Sequence, residues 1–145
     1  MKHNNPCGVA SDEKIFSALQ KSLKADPVSV FGGIIASNQI LDKDCAEELT
    51  KLFLECIIAP GVTDEAKEVF SSKKNLRVLV WPEILKASSS NEPEFRNILG
   101  GYLVQSKDEV ETETSQWKVI GESPTDEQWQ NFIFAWKVGA ALKSN

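Results

Sequence analysis

LRVLVW, residues 76–81, is the clearest strand signal in the chain. It is short, almost continuously apolar and rich in valine and leucine, and it does not alternate between apolar and polar positions. Such a run reads as a strand of a parallel sheet covered on both faces. Parallel neighbours need crossover connections, usually helical, so the flanking sequence is expected to supply helices between further strands.

It does so on the N-terminal side. Thr63-Asp64 starts a short helix with Ala66, Val69 and Phe70 inward, and before it CIIAPG (56–61) reads as a buried strand ending at Pro60-Gly61. From Asp42 or Asp44 another helix carries Cys45, Leu49, Leu52 and Phe53 on one face. In VSVFGGIIASN (28–38) a β-branched run is broken by Gly32-Gly33, a pair that suggests a bulge or a close backbone approach. Earlier still, Ser11-Asp12-Glu13 offers an N-cap to a helix with Ile15, Phe16, Leu19 and Leu23 inward, running to about Lys24 and stopped by Asp26-Pro27. Alternating helix and strand predicts an α/β layered domain.

C-terminal to the strand, KASSSNEPEF (86–95) is polar and loop-like, and NILGGYLVQ (97–105) is a further strand candidate. KDEVETETS (107–115) is acidic and reads as a solvated connection. Ser123-Pro124-Thr125-Asp126 then opens a final helix with Trp129, Phe132, Ile133 and Trp136 on one face, an aromatic stripe that reads as core.

Composition sets outer bounds. A length of 145 residues suits one domain. The net charge of −5, with lysines scattered singly apart from Lys73-Lys74, argues against a nucleic-acid partner. No apolar run reaches the roughly 18–20 residues of a membrane span, and the first residues lack a secretory signal, so the expectation is a cytoplasmic protein with no membrane partner. Cys7, Cys45 and Cys56 form no CxxC spacing, which signals neither a disulfide framework nor a zinc site.

The first ten residues, MKHNNPCGVA, are polar and turn-rich, and they hold the only histidine of the chain, His3, beside Lys2. Together with DPVSVFGGIIASN, ECIIAPG, NILGGYLVQ and WKVGAALKSN, in that order, KHNNPCGVA resembles the transformylase part of the family that joins aminoimidazole carboxamide ribonucleotide (AICAR) transformylase to inosine monophosphate (IMP) cyclohydrolase. These five blocks cover essentially the whole chain. The resemblance implies the first of two cytidine-deaminase-like, three-layer α/β/α subdomains. Residues 1–145 are then expected to be a partial transformylase domain, without the cyclohydrolase domain and the second subdomain, and inactive or nearly so alone. It also implies a homodimer in the full-length family, and a strand that precedes the Lys-His pair, whose loss would leave a sheet edge open.

The implied reaction moves a formyl group from 10-formyltetrahydrofolate to the 5-amino group of AICAR in purine synthesis, with reduced folate as cosubstrate and no catalytic metal. That amine is a poor nucleophile because its lone pair is delocalised into the imidazole ring. A base must take its proton, and a donor must meet the oxyanion or the leaving nitrogen. The resemblance assigns these roles to His3 and Lys2, with His3 reached through the substrate carboxamide. It assigns Asn145 to the formyl group, and Phe31, Gly32 and Glu55 to the substrate cleft.

Each has a plainer reading: a solvated terminal His3, an Asn145 helix cap, a strand bulge at Phe31-Gly32 and a solvated helix end at Glu55. A Cys7 nucleophile lacks an orienting group. PCGVA lacks the second cysteine of a zinc deaminase, and the glycine pairs form no nucleotide-binding fingerprint. The alternative function is a catalytically silent nucleotide-binding or assembly module on the same fold.

Overall fold

In the computed structural model, which describes residues 1–86, 93–107, 110 and 112–143, the chain divides into two compact units, Met1–Ser88 and Ser89–Asn145. The first unit runs α1 (Ile15–Ala25), β1 (Gly33–Ala36), α2 (Lys43–Thr50), β2 (Leu54–Ala59), α3 (Asp64–Ser71) and β3 (Arg77–Val80). Its strands form a parallel sheet in the order β1-β2-β3. The α/β class is therefore as the alternation of helix and strand suggests.

The helix starts follow from local chemistry. Asp42 accepts from the Cys45 N–H at 2.9 Å and Thr63 from the Ala66 N–H at 3.2 Å, so each satisfies a donor left free at a helix N-terminus. At α1 the expected Ser11 cap is not used. The N-cap is Lys14, without a side-chain bond. Asp12 instead accepts from the Lys14 N–H and from Lys21 Nζ at 2.6 Å, which delays the helix by an open turn. The Lys21 hydrogen bond, and after it the Lys14 N–H, hold the Asp12 carboxyl below its usual range.

Two successive crossovers in the same direction place α2 and α3 on one face when both are right-handed. Accordingly α2 packs on α3, and α1 packs on α2. Along β2, Leu54, Ile57 and Ala59 are buried. They join Leu41, Cys45, Ala46, Leu49, Ala66 and Phe70 in one core, with Leu19 reaching in from α1. Full burial of a Leu or Ile stabilises by about 1.5–3 kcal/mol, so Leu41, Leu49 and Ile57, all at 1% exposure or less, anchor this layer.

The other sheet face is less covered. Register aligns Ile34 with Cys56, and Ile58 with Leu79. Ile34 is 41% exposed and Leu79 53%. The expectation that LRVLVW is covered on both faces is thus corrected. β3 is an edge strand, and this unit supplies two layers from its own residues, helices on one face of the sheet. The reason lies in connectivity: a β-α-β-α-β run in one direction loads one face only.

The second unit contains the antiparallel pair β4 (Glu94–Ile98) and β5 (Gly101–Gln105), then α4 (Asp126–Ala141). NILGGYLVQ is not one strand. The chain turns at Leu99-Gly100, where Gly100 has φ +80°, and this glycine is the corner of a hairpin. α4 begins with a capping box between Thr125 and Gln128. Trp117 lies 6.1 Å from Trp129 and 5.7 Å from Trp136, ring centre to ring centre, in a small aromatic cluster. No residue of α4 is buried, so the stripe read as core is a half-exposed face. Among the described residues, no helix is long and apolar enough to cross a membrane.

Candidate functional site

The N-terminal loop is a hairpin. Lys2 and Asn5 exchange both backbone hydrogen bonds at 2.9 Å, and between them His3 and Asn4 have φ +52° and +62°. Two positive φ angles at the centre of a two-residue hairpin define a type I′ turn. Asn tolerates this left-handed conformation well, and His is also enriched there relative to most residues. His3 consequently stands at the tip of a tight turn, exposed, and among the described residues its imidazole has no hydrogen-bond partner.

The hairpin is fixed to the sheet. The Met1 ammonium donates to Ile34 O and the Ile34 N–H donates to Met1 O, each at 2.8 Å. This reciprocal exchange is the pattern of an antiparallel hydrogen-bonded pair, so Met1 occupies the edge of β1 at that point. A Cβ on Gly33 would lie 3.1 Å from Met1 O and 2.8 Å from Val30 O, which explains a glycine there. The close approach suggested by the glycine pair is this contact.

One residue on, Lys2 Nζ donates to Phe31 O at 3.0 Å. Phe31 is placed by the loop after α1, where Asp26 Oδ1 accepts from the Val28 and Ser29 N–H groups. Hydrogen bonds from Ser29, side chain first, hold the Asp26 carboxyl below its usual range. Gly32, at φ +68°, then donates its N–H to Phe53 O at 2.9 Å. The Phe31 and Phe53 rings meet at 5.1 Å, both more than half exposed. An exposed aromatic pair beside an ammonium can accept a flat heteroaromatic ring.

Glu55 belongs to the same edge. Gly33 pairs with Leu54 and Ile34 with Cys56, which leaves Glu55 as the unpaired residue of a bulge. Bulges re-aim a side chain and recur beside active sites. Glu55 is exposed, but within a strand rather than at a helix end. The structure therefore brings Lys2, Phe31 and Gly32 together, sets His3 next to them on the turn, and places Glu55 at the neighbouring bulge. Asn145 lies outside the described residues.

Phe53 is the site neighbour that the sequence reading misplaced. It follows Leu49 at helical spacing and was expected on the buried face of α2, but the helix ends at Thr50 and Phe53 leads into β2. Next to it opens a cavity of about 330 Å³ whose lining includes Phe53, Leu54, Leu76, Lys51, Lys73 and Lys74. Among the described residues, no three His, Cys, Asp or Glu side chains gather as a metal group.

Comparison with known proteins agrees along the whole chain. A family model described as AICARFT/IMPCHase bienzyme matches residues 1–145. The chain is similar to the bifunctional purine biosynthesis protein PurH of Cyanothece sp., at 46% identity over 99% of this chain and 28% of the relative. It is also similar to PurH of Rippkaea orientalis, at 47% identity over all of this chain and 28% of the relative, and to PurH of Staphylococcus aureus, at 47% over all of this chain and 29% of the relative. The chain thus spans less than a third of the length of these relatives.

Proposed function

The chain belongs to the AICARFT/IMPCHase bienzyme family, and from that premise we propose that the edge formed by Lys2, His3, Phe31 and Gly32 serves the formyl transfer of purine biosynthesis. The formyl donor is 10-formyltetrahydrofolate and the acceptor is the 5-amino group of AICAR. A C–N bond forms from the amine to the formyl carbon, the bond from that carbon to the folate nitrogen breaks, and the amine proton is passed on to the departing nitrogen.

The observation that carries the reading is the hydrogen bond from Lys2 Nζ to Phe31 O. It fixes the ammonium at the turn while leaving two of its three N–H groups to meet the formyl oxygen as charge develops there, or to protonate the folate nitrogen. His3, on a rigid type I′ turn, takes the amine proton through the carboxamide of AICAR. Phe31 and Phe53 offer an apolar surface to a ring, and Glu55 borders it. Asn145 is assigned to the formyl group on the resemblance alone. In this reading the first unit belongs to the first cytidine-deaminase-like subdomain, and the full-length family acts as a homodimer.

Calorimetric titration with AICAR tests the proposal. Saturable binding that weakens at least fivefold in both Lys2→Ala and His3→Ala supports it. Binding that neither substitution changes favours the alternative, a silent nucleotide-binding module, and overturns the assignment of the pair.

A further inference from the structure

The chemistry needs the ammonium of Lys2 in one place, and a single peptide bond aims it. Among the described residues Lys2 makes no ion pair, and the acceptor that its Nζ meets is the Phe31 carbonyl, at 3.0 Å. That carbonyl shares its peptide plane with the Gly32 N–H. In a planar trans peptide the two point in opposite directions, so whatever holds the N–H also aims the C=O. The Gly32 N–H is held by the carbonyl of Phe53 at 2.9 Å.

The same peptide is the centre of a turn at residues 30–33. The Gly33 N–H closes on Val30 O at 3.0 Å, Gly32 has φ +68°, and Phe31 is not among the residues with positive φ. A negative φ followed by a positive one defines a type II turn. Type I differs from it by rotation of this central peptide, ψ of the first central residue passing from about +120° to about −30° and φ of the second from about +80° to about −90°. Glycine accepts both signs of φ, so residue 32 does not by itself choose between the two. A rotated peptide turns Phe31 O away from Lys2 and the Gly32 N–H away from Phe53 O.

Phe53 opposes that rotation with its side chain as well. Its ring centre stands 5.1 Å from that of Phe31, and a Cβ on Gly32 would lie 3.6 Å from its Cε1, so the ring lies against both central residues of the turn. Phe53 is itself tethered by β2, which begins at the next residue. We propose that Phe53 is a positioning residue: it locks the central peptide of the turn in the orientation that presents Phe31 O to Lys2, and so sets where the ammonium meets the substrate. Its part in catalysis rests on the formyl-transfer reading; its hold on Lys2 does not.

The test uses Phe53→Leu, which removes the ring, and Phe53→Tyr, which keeps it; both retain the main-chain carbonyl. Phe53 is 55% exposed, so the core stays packed, and circular dichroism confirms that the variants are folded. The first readout is nuclear magnetic resonance of the Lys2 ε-methylene, assigned by its absence in Lys2→Ala. Its two protons are inequivalent while the ammonium is held and converge when it swings free. The second is calorimetric titration with AICAR in a double-mutant cycle of Phe53→Leu with Lys2→Ala. The ε protons should be inequivalent in wild type and in Phe53→Tyr and converge in Phe53→Leu. Phe53→Leu should weaken AICAR binding by about twofold to tenfold when Lys2 is present, and by no further amount when residue 2 is alanine. A ring that only supports the fold, or that touches AICAR itself, weakens binding equally in both backgrounds and leaves the ε protons inequivalent. Either result overturns the proposal, as do equivalent ε protons in the wild type. If AICAR does not bind, or Lys2→Ala leaves its binding unchanged, the formyl-transfer assignment of Lys2 fails, and the ε-proton comparison still decides whether Phe53 holds it.

Discussion

Replacing His3 with glycine should raise stability, because the backbone at this position is strained, and on the proposed reading should weaken AICAR binding. His3 has φ +52°, in the left-handed region. That region costs a residue with a Cβ about 1–2 kcal/mol, with His toward the low end. Glycine escapes the cost but loses about 0.5–1 kcal/mol through its greater freedom in the unfolded chain. His3→Gly should thus gain a few tenths of a kcal/mol over wild type. His3→Ala keeps the full left-handed cost, so it should be less stable than His3→Gly by about 0.5–1 kcal/mol. With a urea slope of about 1–3 kcal/mol/M, the two variants separate by roughly 0.2–1 M in midpoint. Urea denaturation followed by circular dichroism reads this difference, and AICAR titration of the same samples should show both variants weakened alike. An alanine variant as stable as the glycine variant, or more so, refutes the strain argument. It would mean either that the turn relaxes or that it does not unfold with the core.

Other substitutions probe the packing beneath the site. A Cβ at Gly8 would sit 2.1 Å from Ser22 O of α1, so Gly8→Ala must push the loop off the helix, and thermal unfolding should reveal a loss of about 1–3 kcal/mol. Cys45 is fully buried, and desolvation, followed by its hydrogen bond and charge interaction with Asp42, pushes its thiol up to about 12. In the unfolded chain the thiol ionises near 9.0. Its contribution is therefore complete below about pH 9 and declines as pH rises from there toward 12. The urea midpoint should fall more steeply above pH 9 in wild type than in Cys45→Ala; parallel profiles would show that the thiol does not govern this slope. Thr125→Ala removes the capping box of α4 and should lower helicity of the second unit with a cost of about 1 kcal/mol, read by circular dichroism in urea.

Helix and strand order in the first unit was legible because its signals are local. Asp42 and Thr63 mark helix starts by their side-chain oxygens, and CIIAPG and LRVLVW are too short and too apolar to be surface helices. What the pattern could not carry is which sheet face finds a cover. LRVLVW has the composition of a doubly covered strand, yet it lies at the sheet edge with Leu79 and Val80 exposed, because coverage is set by crossover direction. Phe53 was misplaced for a related reason: its spacing from Leu49 fits a helix, and nothing in that period tells where α2 stops.

At the site the residue types were readable and their arrangement was not. The Asn-rich polar run signalled a turn, but nothing local tells where that turn docks: Met1 is held against Ile34, a contact 33 residues apart. The Gly32-Gly33 pair announced a bulge or a close approach, and both occur: Gly33 under Met1, and the register shift that leaves Glu55 unpaired. The Lys73-Lys74 pair stood out from otherwise scattered lysines, while its position on a cavity next to Phe53 depends on α2 and α3 ending side by side.

On the proposed reading, His3 meets AICAR. As the only histidine in the chain, its imidazole gives a single set of ring signals, and these can be followed by nuclear magnetic resonance as AICAR is added. The ring resonances should shift saturably with the same dissociation constant as calorimetry, and the shift should be lost when Lys2 is replaced by alanine. AICAR binding measured by calorimetry while the His3 ring signals stay in place would contradict it.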